Sequence, residues 1–275
     1  MDKTLWRFIM NKTIAKKEED FHDNWAKQAD LENILVDEYF ESCTTPENKY
    51  ILNKLGDLKG KKLLDIGCGL GESSIYFAKK GAIVTASDIS SEMLNLSSRL
   101  AKKHNVNIET LKCQSDKIPV EDNSYDIIYA GNILHHVNLE DTLKEINRIL
   151  RNGGTFVSMD PLAHNPAINI YRKLATEVRT EDEHPIKMSE LKLFKKYFSY
   201  VEYDCFWLFT NFIFVKYYFI DKVNPNKERY WKKIIKDAHD IEKLYCRLEK
   251  IDNIVKKVFP FLKRYCWNIA IISYK

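Results

Sequence analysis

The 275-residue chain lacks the spacings with which cysteine builds metal sites. Its six cysteines are scattered, with no C-x-x-C pair and no histidine at ligand spacing, which argues against a zinc site and a disulfide framework. The first residues also lack the apolar segment of a secretory signal peptide. These absences predict a cytoplasmic protein that holds no metal.

Long hydrophobic runs are absent as well. The most apolar stretch, 206–220, is 15 residues long and contains Asn211 and Lys216, whereas a helix that spans a bilayer needs roughly 20 apolar residues. We therefore expect no transmembrane helix. Three interpretations of this stretch stay open: a buried or capping helix, the wall of an apolar substrate pocket, and a segment that makes a peripheral membrane contact.

Neither sign of charge is in large excess. The 43 Lys and Arg residues are mixed along the chain with 39 Asp and Glu residues, which gives a net charge of +4. The charge distribution therefore gives no reason to expect a nucleic-acid partner. Internal repeats and Gly/Ser linkers are also missing, so the length fits one enzyme-sized domain with an addition.

A glycine-rich turn follows the apolar run Lys62–Ile66, which is typical of a buried strand. The spacing from Gly67 is G-x-G-x-G, and Glu72 occupies the position where a dinucleotide fingerprint has its third glycine. Asp65 would repel a pyrophosphate and suits a cofactor with a positively charged tail. Asp88, at the end of the next apolar run, suits the hydroxyl groups of a ribose. The pattern favours S-adenosylmethionine (SAM) over NAD.

Three further segments carry a family resemblance. They are I-P-V-E-D-N-S-Y-D at 118–126, L-H-H-V at 134–137 and R-I-L-R-N-G-G at 148–154. With the glycine turn, they resemble in order the motifs of the class I SAM-dependent methyltransferases, particularly the group related to ubiquinone and menaquinone biosynthesis. The resemblance covers roughly residues 20–160. It implies a methyltransferase that uses SAM.

The resemblance also implies which residues hold the cofactor. Asp65 would lie near the methionine amino group, the three glycines would pass under the methionine and ribose, and Asp88 would bind the ribose hydroxyls. Where most relatives have Gly-Asp-Ala, this chain has Cys113-Gln114-Ser115, so Gln114 would accept from the adenine, or Asp116 would after a shift of two residues. The full predicted set is Asp65, Gly67, Cys68, Gly69, Gly71, Asp88, Ile89, Gln114, Ser115, Asp116 and Asn132.

The predicted fold is α/β: a doubly wound, seven-stranded, Rossmann-like methyltransferase sheet. We divide the chain into an N-terminal helical lid at 1–56, a SAM-binding core at 57–208, a helical insertion or cap at 209–264 and a final core strand at 265–275. Strands at 200–206 and 267–275 would form an antiparallel pair separated by about 60 residues, where a short loop usually suffices. The apolar stripe at 231–255 predicts a helix in this insertion that Pro260 ends.

Polar residues concentrate after the predicted fifth strand, where an acceptor would meet the cofactor's methyl group. Two arginines could hold an anionic group of the acceptor or could pair internally with the acidic residues around them. The predicted substrate-binding residues are Asp160, Asn165, Tyr171, Arg172 and Arg179. A histidine suits the removal of a proton near neutral pH, and the candidates are His135, His136, His164 and His184.

The sequence thus predicts methyl transfer from SAM to an oxygen or nitrogen of a small-molecule or lipid-like acceptor. Two alternatives stay open. One is an RNA methyltransferase, although strand four does not end in the Asn/Asp-Pro-Pro-Tyr/Phe pattern of many enzymes that methylate bases. The other is a catalytically idle protein that binds SAM or a partner.

Overall fold

The computed structural model describes residues 3–175 and 183–275, with side chains from residue 15 onward. Within these ranges the strands form a seven-stranded sheet in the order β3-β2-β1-β4-β5-β7-β6. The strands are β1 (Lys62–Ile66), β2 (Ile83–Asp88), β3 (Ile108–Lys112), β4 (Tyr125–Gly131), β5 (Leu150–Pro161), β6 (Tyr200–Phe206) and β7 (Asn268–Tyr274).

Three helices precede β1, and the others connect the strands, except that β3 is followed directly by β4. The helices are α1 (Lys3–Gln28), α2 (Val36–Glu41), α3 (Pro46–Leu55), α4 (Glu72–Lys79), α5 (Ser91–Lys103), α6 (Leu139–Ile149), α7 (Pro166–Leu174), α8 (Leu191–Tyr197), α9 (Phe212–Phe219), α10 (Tyr230–Lys236) and α11 (Ala238–Val258). No helix among the described residues is long and apolar enough to cross a bilayer.

Strand pairing confirms the predicted Rossmann-like sheet. β1 pairs in parallel with both β2 and β4, and β2 pairs in parallel with β3. β6 and β7 are antiparallel. Because parallel strands bring their carboxyl ends to one edge, the turns after β1, β2 and β4 lie at the same edge, where open α/β sheets bind ligands.

Local hydrogen bonds explain where the helices begin. The Ser90 hydroxyl accepts from the Met93 N–H at the start of α5, and the Asn138 side chain accepts from the Asp141 N–H at the start of α6. Serine and asparagine are both preferred N-cap residues. α6 ends at Ile149, because the chain enters β5 at the next residue.

The chain forms two compact units. Unit 1 consists of residues 1–36, 57–156 and 275, and unit 2 consists of residues 37–56 and 157–274. The boundaries of these units differ from those of the four segments predicted from the sequence. The four-segment division stays a prediction. Each unit is discontinuous in sequence.

In unit 2, the buried Glu47 of α3 is held by two distant residues. Its carboxylate accepts from Trp207 Nε1 at 3.1 Å and from Asn268 Nδ2 at 2.9 Å. Burial raises the pKa of Glu47. Ile51, on the same helix, is fully buried. These contacts join α3 to β7 and to the turn after β6.

The insertion between β6 and β7 is helical, as the sequence predicts, but its apolar stripe does not lie along one buried helix face. The helix breaks at Asp237, between α10 and α11. Tyr245, Asp252 and Lys256 point inward on α11, while Ile251 is exposed. The reason is a turn after β6, where the Asp252 carboxylate accepts from backbone N–H groups at 208–210. α11 ends at Val258, two residues before Pro260, as expected.

Candidate active site

The glycine turn after β1 leaves open space beside its backbone. Gly69 has φ +53°, and a Cβ placed there would meet no atom within 4 Å. Gly71, at the N-cap of α4, has φ +96°, and a Cβ there would lie 2.7 Å from Ser97 Oγ. An ordinary side chain would therefore be strained at both positions, and it would project into the open space at the first. A ligand can approach this backbone directly.

Asp88 ends β2 beside this turn. Its Oδ2 accepts from the Gly69 N–H at 3.0 Å, and its Oδ1 accepts from the Ser90 N–H at 2.8 Å. Burial raises the pKa of the Asp88 carboxyl, although these N–H groups and the nearby His22 work in the opposite direction. The sequence-predicted pair Gly69 and Asp88 is thus brought into direct contact.

Asp65 is the most strongly perturbed acid of the turn. It is almost fully buried in β1, and the Ser74 hydroxyl donates to its Oδ2 at 2.6 Å. Burial raises the pKa of Asp65 to about 7, and the charges of Asp88 and Glu72 add to this effect. A buried acid whose charged neighbours Asp88 and Glu72 are also acidic suits a positively charged ligand group, which would stabilise its ionised form.

The other predicted cofactor residues also belong to unit 1. Cys68 is buried, and its N–H donates to the Ser87 carbonyl of β2. Gln114 and Asp116 are both exposed after β3, while the Ser115 hydroxyl lies 3.1 Å from Thr142 Oγ1. Gly67 follows β1, Ile89 follows β2, and Asn132 follows β4 with φ +58°. Gln114 and Asp116 both stay candidates for the adenine contact.

Two of the predicted histidines lie together after β4. The rings of His135 and His136 are 4.1 Å apart, and His135 is buried. His136 Nδ1 lies 3.4 Å from Glu18 Oε1 of α1, and the other Glu18 oxygen lies 3.5 Å from His22 Nε2. Glu18 and His22 are not among the site residues predicted from the sequence. Their spacing of four along a helix was the available signal, since such residues share one face.

Three of the predicted acceptor-binding residues have places in unit 2 that also serve its packing. Asp160 is buried near the end of β5. Asn165 caps α7 by accepting from the Ile168 N–H at 3.0 Å, and its Nδ2 donates to the Tyr265 carbonyl at 2.7 Å. Tyr171 packs against Tyr230, with ring centres 5.0 Å apart. A role for them in binding an acceptor stays a prediction.

Arg172 is the most perturbed basic group of unit 2. Its Nη2 donates to Glu183 Oε2 at 3.2 Å, and its buried Nε has no hydrogen-bond partner among the described residues. Burial lowers the pKa of Arg172 to about 10. Of the nearby candidates, His164 is half-buried, His184 is exposed, and Arg179 lies outside the described residues.

Comparison with known proteins finds similarity concentrated in the motif-bearing region. A methyltransferase-domain family model matches residues 64–158. The chain is 28% identical over 163 residues to the sterol 24-C-methyltransferase ERG6B of Gibberella zeae, which covers 58% of this chain and 40% of that protein. It is 36% identical over 108 residues to a ubiquinone biosynthesis O-methyltransferase of Coxiella burnetii, and this match covers 38% of this chain and 45% of that protein. The chain thus spans less than half the length of these relatives.

A solved structure extends the likeness of the fold beyond this region. A phosphoethanolamine N-methyltransferase 2 of Haemonchus contortus covers 94% of this chain and 60% of that protein, with a TM-score of 0.59 and 20% identity. At this identity the likeness concerns the fold alone. The three proteins are named as C-, O- and N-directed methyltransferases, so they do not fix the acceptor atom.

Proposed function

We propose, from the premise that this chain carries a class I SAM-dependent methyltransferase domain, that it transfers the methyl group of SAM to an oxygen or nitrogen of a small-molecule or lipid-like acceptor. The observation that carries the proposal is the group formed by Glu18, His22 and His136 in the unit that holds Asp65 and Asp88. It provides a proton acceptor beside a nucleoside site.

SAM fits the residues of the turn. The open backbone at Gly69 admits the cofactor, Asp88 offers its remaining lone pairs to the ribose hydroxyls, and Asp65 faces the methionine ammonium. SAM supplies an electrophilic sulfonium methyl. The chain must therefore orient a nucleophile in line with that methyl, exclude water and remove a proton.

His136 is the proton acceptor that this arrangement favours. A carboxylate next to Nδ1 stabilises the tautomer that carries its hydrogen there, which makes Nε2 the basic atom. Glu18 is then a positioning residue, because it acts through the imidazole. Since α1 provides Glu18, we infer that the N-terminal helix is a lid of the cofactor site.

Arg172 supports an acceptor with an anionic group. Among the described residues, this buried guanidinium has one carboxylate partner and an unpartnered Nε, which leaves capacity for a carboxylate or phosphate. Asp160, Asn165, Tyr171 and Arg172 remain the proposed acceptor residues. The six free thiols are compatible with the reducing cytoplasm that we propose as the compartment.

Methyl-labelled SAM incubated with a panel of phenols, amines and phosphorylated amines tests the proposal. We expect one acceptor class to gain a methyl group on oxygen or nitrogen, detected by mass spectrometry. His136→Gln and Glu18→Gln should lower kcat by roughly 10²-fold or more with little change in SAM affinity. Glu19→Gln is the matched control, because Glu19 pairs with Lys112 on the surface.

Three results would count against the proposal. Transfer to carbon would overturn the choice of acceptor atom. SAM binding with no transfer to any member of the panel would favour an idle binding protein, and transfer to RNA would favour an RNA methyltransferase. If His136→Gln keeps wild-type turnover, the same substitution at His135, His164 and His184 would show whether another histidine takes the proton.

A further inference from the structure

The outer surface of unit 2 contains a helix face that combines apolar and basic side chains. Tyr245, Asp252 and Lys256 mark the inward side of α11. The opposite side, together with the turn that follows it, is exposed, and we call it the α11 outer face. Its apolar members are Leu244, Ile251, Ile254, Val258, Phe259 and Phe261. Its basic members are Lys243, Arg247, Lys250, Lys257 and Arg264.

The apolar members are too exposed to serve the packing of the unit. Ile254 is 63% exposed, Val258 60% and Phe261 66%. Leu244, Ile251 and Val258 recur every seven residues, so they form a row along the helix. A contiguous exposed apolar surface of this kind usually marks a binding site.

From residue 243 onward the charge of this face has one sign, whereas the exposed Asp240, in the first turn of α11, lies before that stretch. Residues 243–265, all of which the structure describes, include two acidic residues, Glu249 and Asp252, and neither is exposed. No ion pair is recorded there for Lys243, Arg247, Lys250 or Lys257. The face therefore presents uncompensated positive charge beside its apolar row.

The presence of apolar and basic side chains on one face favours one kind of binding partner over others. A second copy of the chain would place the same cations against each other, and this repulsion opposes a symmetric contact. A nucleic acid would pair with the cations but leave the apolar row without a partner. A bilayer with anionic headgroups matches both, because apolar side chains enter the acyl boundary while Lys and Arg reach the headgroups.

We propose that the α11 outer face docks the protein on an anionic lipid surface. The 16 residues of α11 from Lys243 to Val258 would lie flat along the interface for about 24 Å, at about 1.5 Å per residue. Phe259 and Phe261 would extend the apolar contact beyond its end. The exposed aromatic residues of α9 lack this charge pattern, since Lys216 is paired with Asp221 at 2.6 Å.

Vesicle co-sedimentation of the full chain tests the proposal. The probes are vesicles of phosphatidylcholine alone and vesicles in which about one lipid in three is phosphatidylserine. We expect binding to the mixed vesicles, weak binding to phosphatidylcholine alone, and release at high salt. Each cation near an anionic surface contributes about fivefold, so Lys250→Ala with Lys257→Ala should weaken binding roughly 25-fold.

Matched controls test whether binding depends on the α11 outer face or on any exposed cation or apolar side chain of the protein. Lys192→Ala with Lys195→Ala removes two exposed cations of α8 and should change binding much less. Ile254→Glu should reduce binding more than tenfold, whereas Ile220→Glu, at the exposed end of α9, should not. Circular dichroism and SAM titration verify that each variant is folded.

Several results would overturn the proposal. Equal binding to both vesicle types would remove the electrostatic contribution. Equal losses in the α8 and α11 double variants would show that the attraction is not local to α11. A larger loss in Ile220→Glu than in Ile254→Glu would assign the contact to α9. Self-association or RNA binding that Ile254→Glu abolishes, with no vesicle binding, would assign the face to another occupant.

Discussion

Replacing Asp65 by asparagine is expected to stabilise the cofactor-free protein at neutral and alkaline pH while weakening its binding of SAM. The substitution keeps the shape of the side chain and an oxygen that can accept from the Ser74 hydroxyl. It removes a carboxyl group that is almost fully buried in β1. The asparagine variant therefore isolates the effect of the charge.

The direction of the stability change follows from the raised pKa of Asp65. In the folded protein the pKa of Asp65 is about 7, against 3.8 for the ordinary group. Between these values the folded state holds a proton that the unfolded state has lost, so this group's contribution to the free energy of unfolding falls as pH rises towards 7. The difference corresponds to something on the order of 4 kcal/mol above pH 7. Asparagine does not titrate and avoids this loss.

Urea unfolding of the cofactor-free proteins at several pH values is the assay. The stability advantage of Asp65→Asn should grow from about pH 4 to pH 7 and then level off. Asp126→Asn is the control with the opposite sign. Burial opposes ionisation there, but hydrogen bonds from the Lys62 N–H and from Arg151 outweigh it and lower the pKa of Asp126.

Calorimetric titration of SAM gives the second half of the prediction. Loss of a charge-assisted contact should weaken binding by about 1.5–3 kcal/mol, which is roughly ten- to 150-fold. In the wild-type protein, affinity should also fall as pH drops below about 7, because protons compete with the ammonium group for Asp65. An asparagine variant with unchanged SAM affinity, or with lower stability at pH 8, would refute this account of the site.

Three further predictions address other residues. Asp88→Ala should weaken SAM binding by about 1.5–3 kcal/mol in a calorimetric titration, and unchanged affinity would remove Asp88 from the ribose site. Glu18→Gln should lower kcat and alter its pH profile while KM for the acceptor stays constant; a change in KM alone would instead indicate a role in binding. Asp252→Ala leaves the N–H groups at 208–210 without their acceptor and should destabilise the protein by about 3 kcal/mol or more in urea. Its exposed neighbour provides the control, since Asn253→Ala should change stability by less than about 0.5 kcal/mol.

Features of the fold that depend on neighbours in sequence could be predicted. The caps at Ser90 and Asn138 need an acceptor and an N–H three residues apart, and the sequence contains both. The strand Tyr200–Phe206 has the predicted bounds. The positions of the glycine turn and Asp88 follow from the motif because they lie at the ends of adjacent parallel strands.

Features that depend on distant partners could not be predicted. Glu18 and His136 are separated by more than one hundred positions, and no local pattern indicates that α1 meets the turn after β4. The orientation of α11 is a second example. An apolar stripe would place Ile251 inside, but the N–H groups after β6 need an acceptor, and Asp252 takes the inward position. Satisfying buried polar groups outweighed the hydrophobic pattern.

The contacts of Glu47 have a consequence for the timing of folding. Its partners Trp207 and Asn268 lie 160 and 221 residues later in the chain. At a synthesis rate of about 5–20 residues per second, roughly 10 to 40 s pass between the synthesis of Glu47 and that of Asn268, its partner in β7. An isolated helix of ten residues is marginal in water, so α3 has little reason to persist alone. The helix that precedes the first strand of the sheet is thus among the last elements of unit 2 to become ordered.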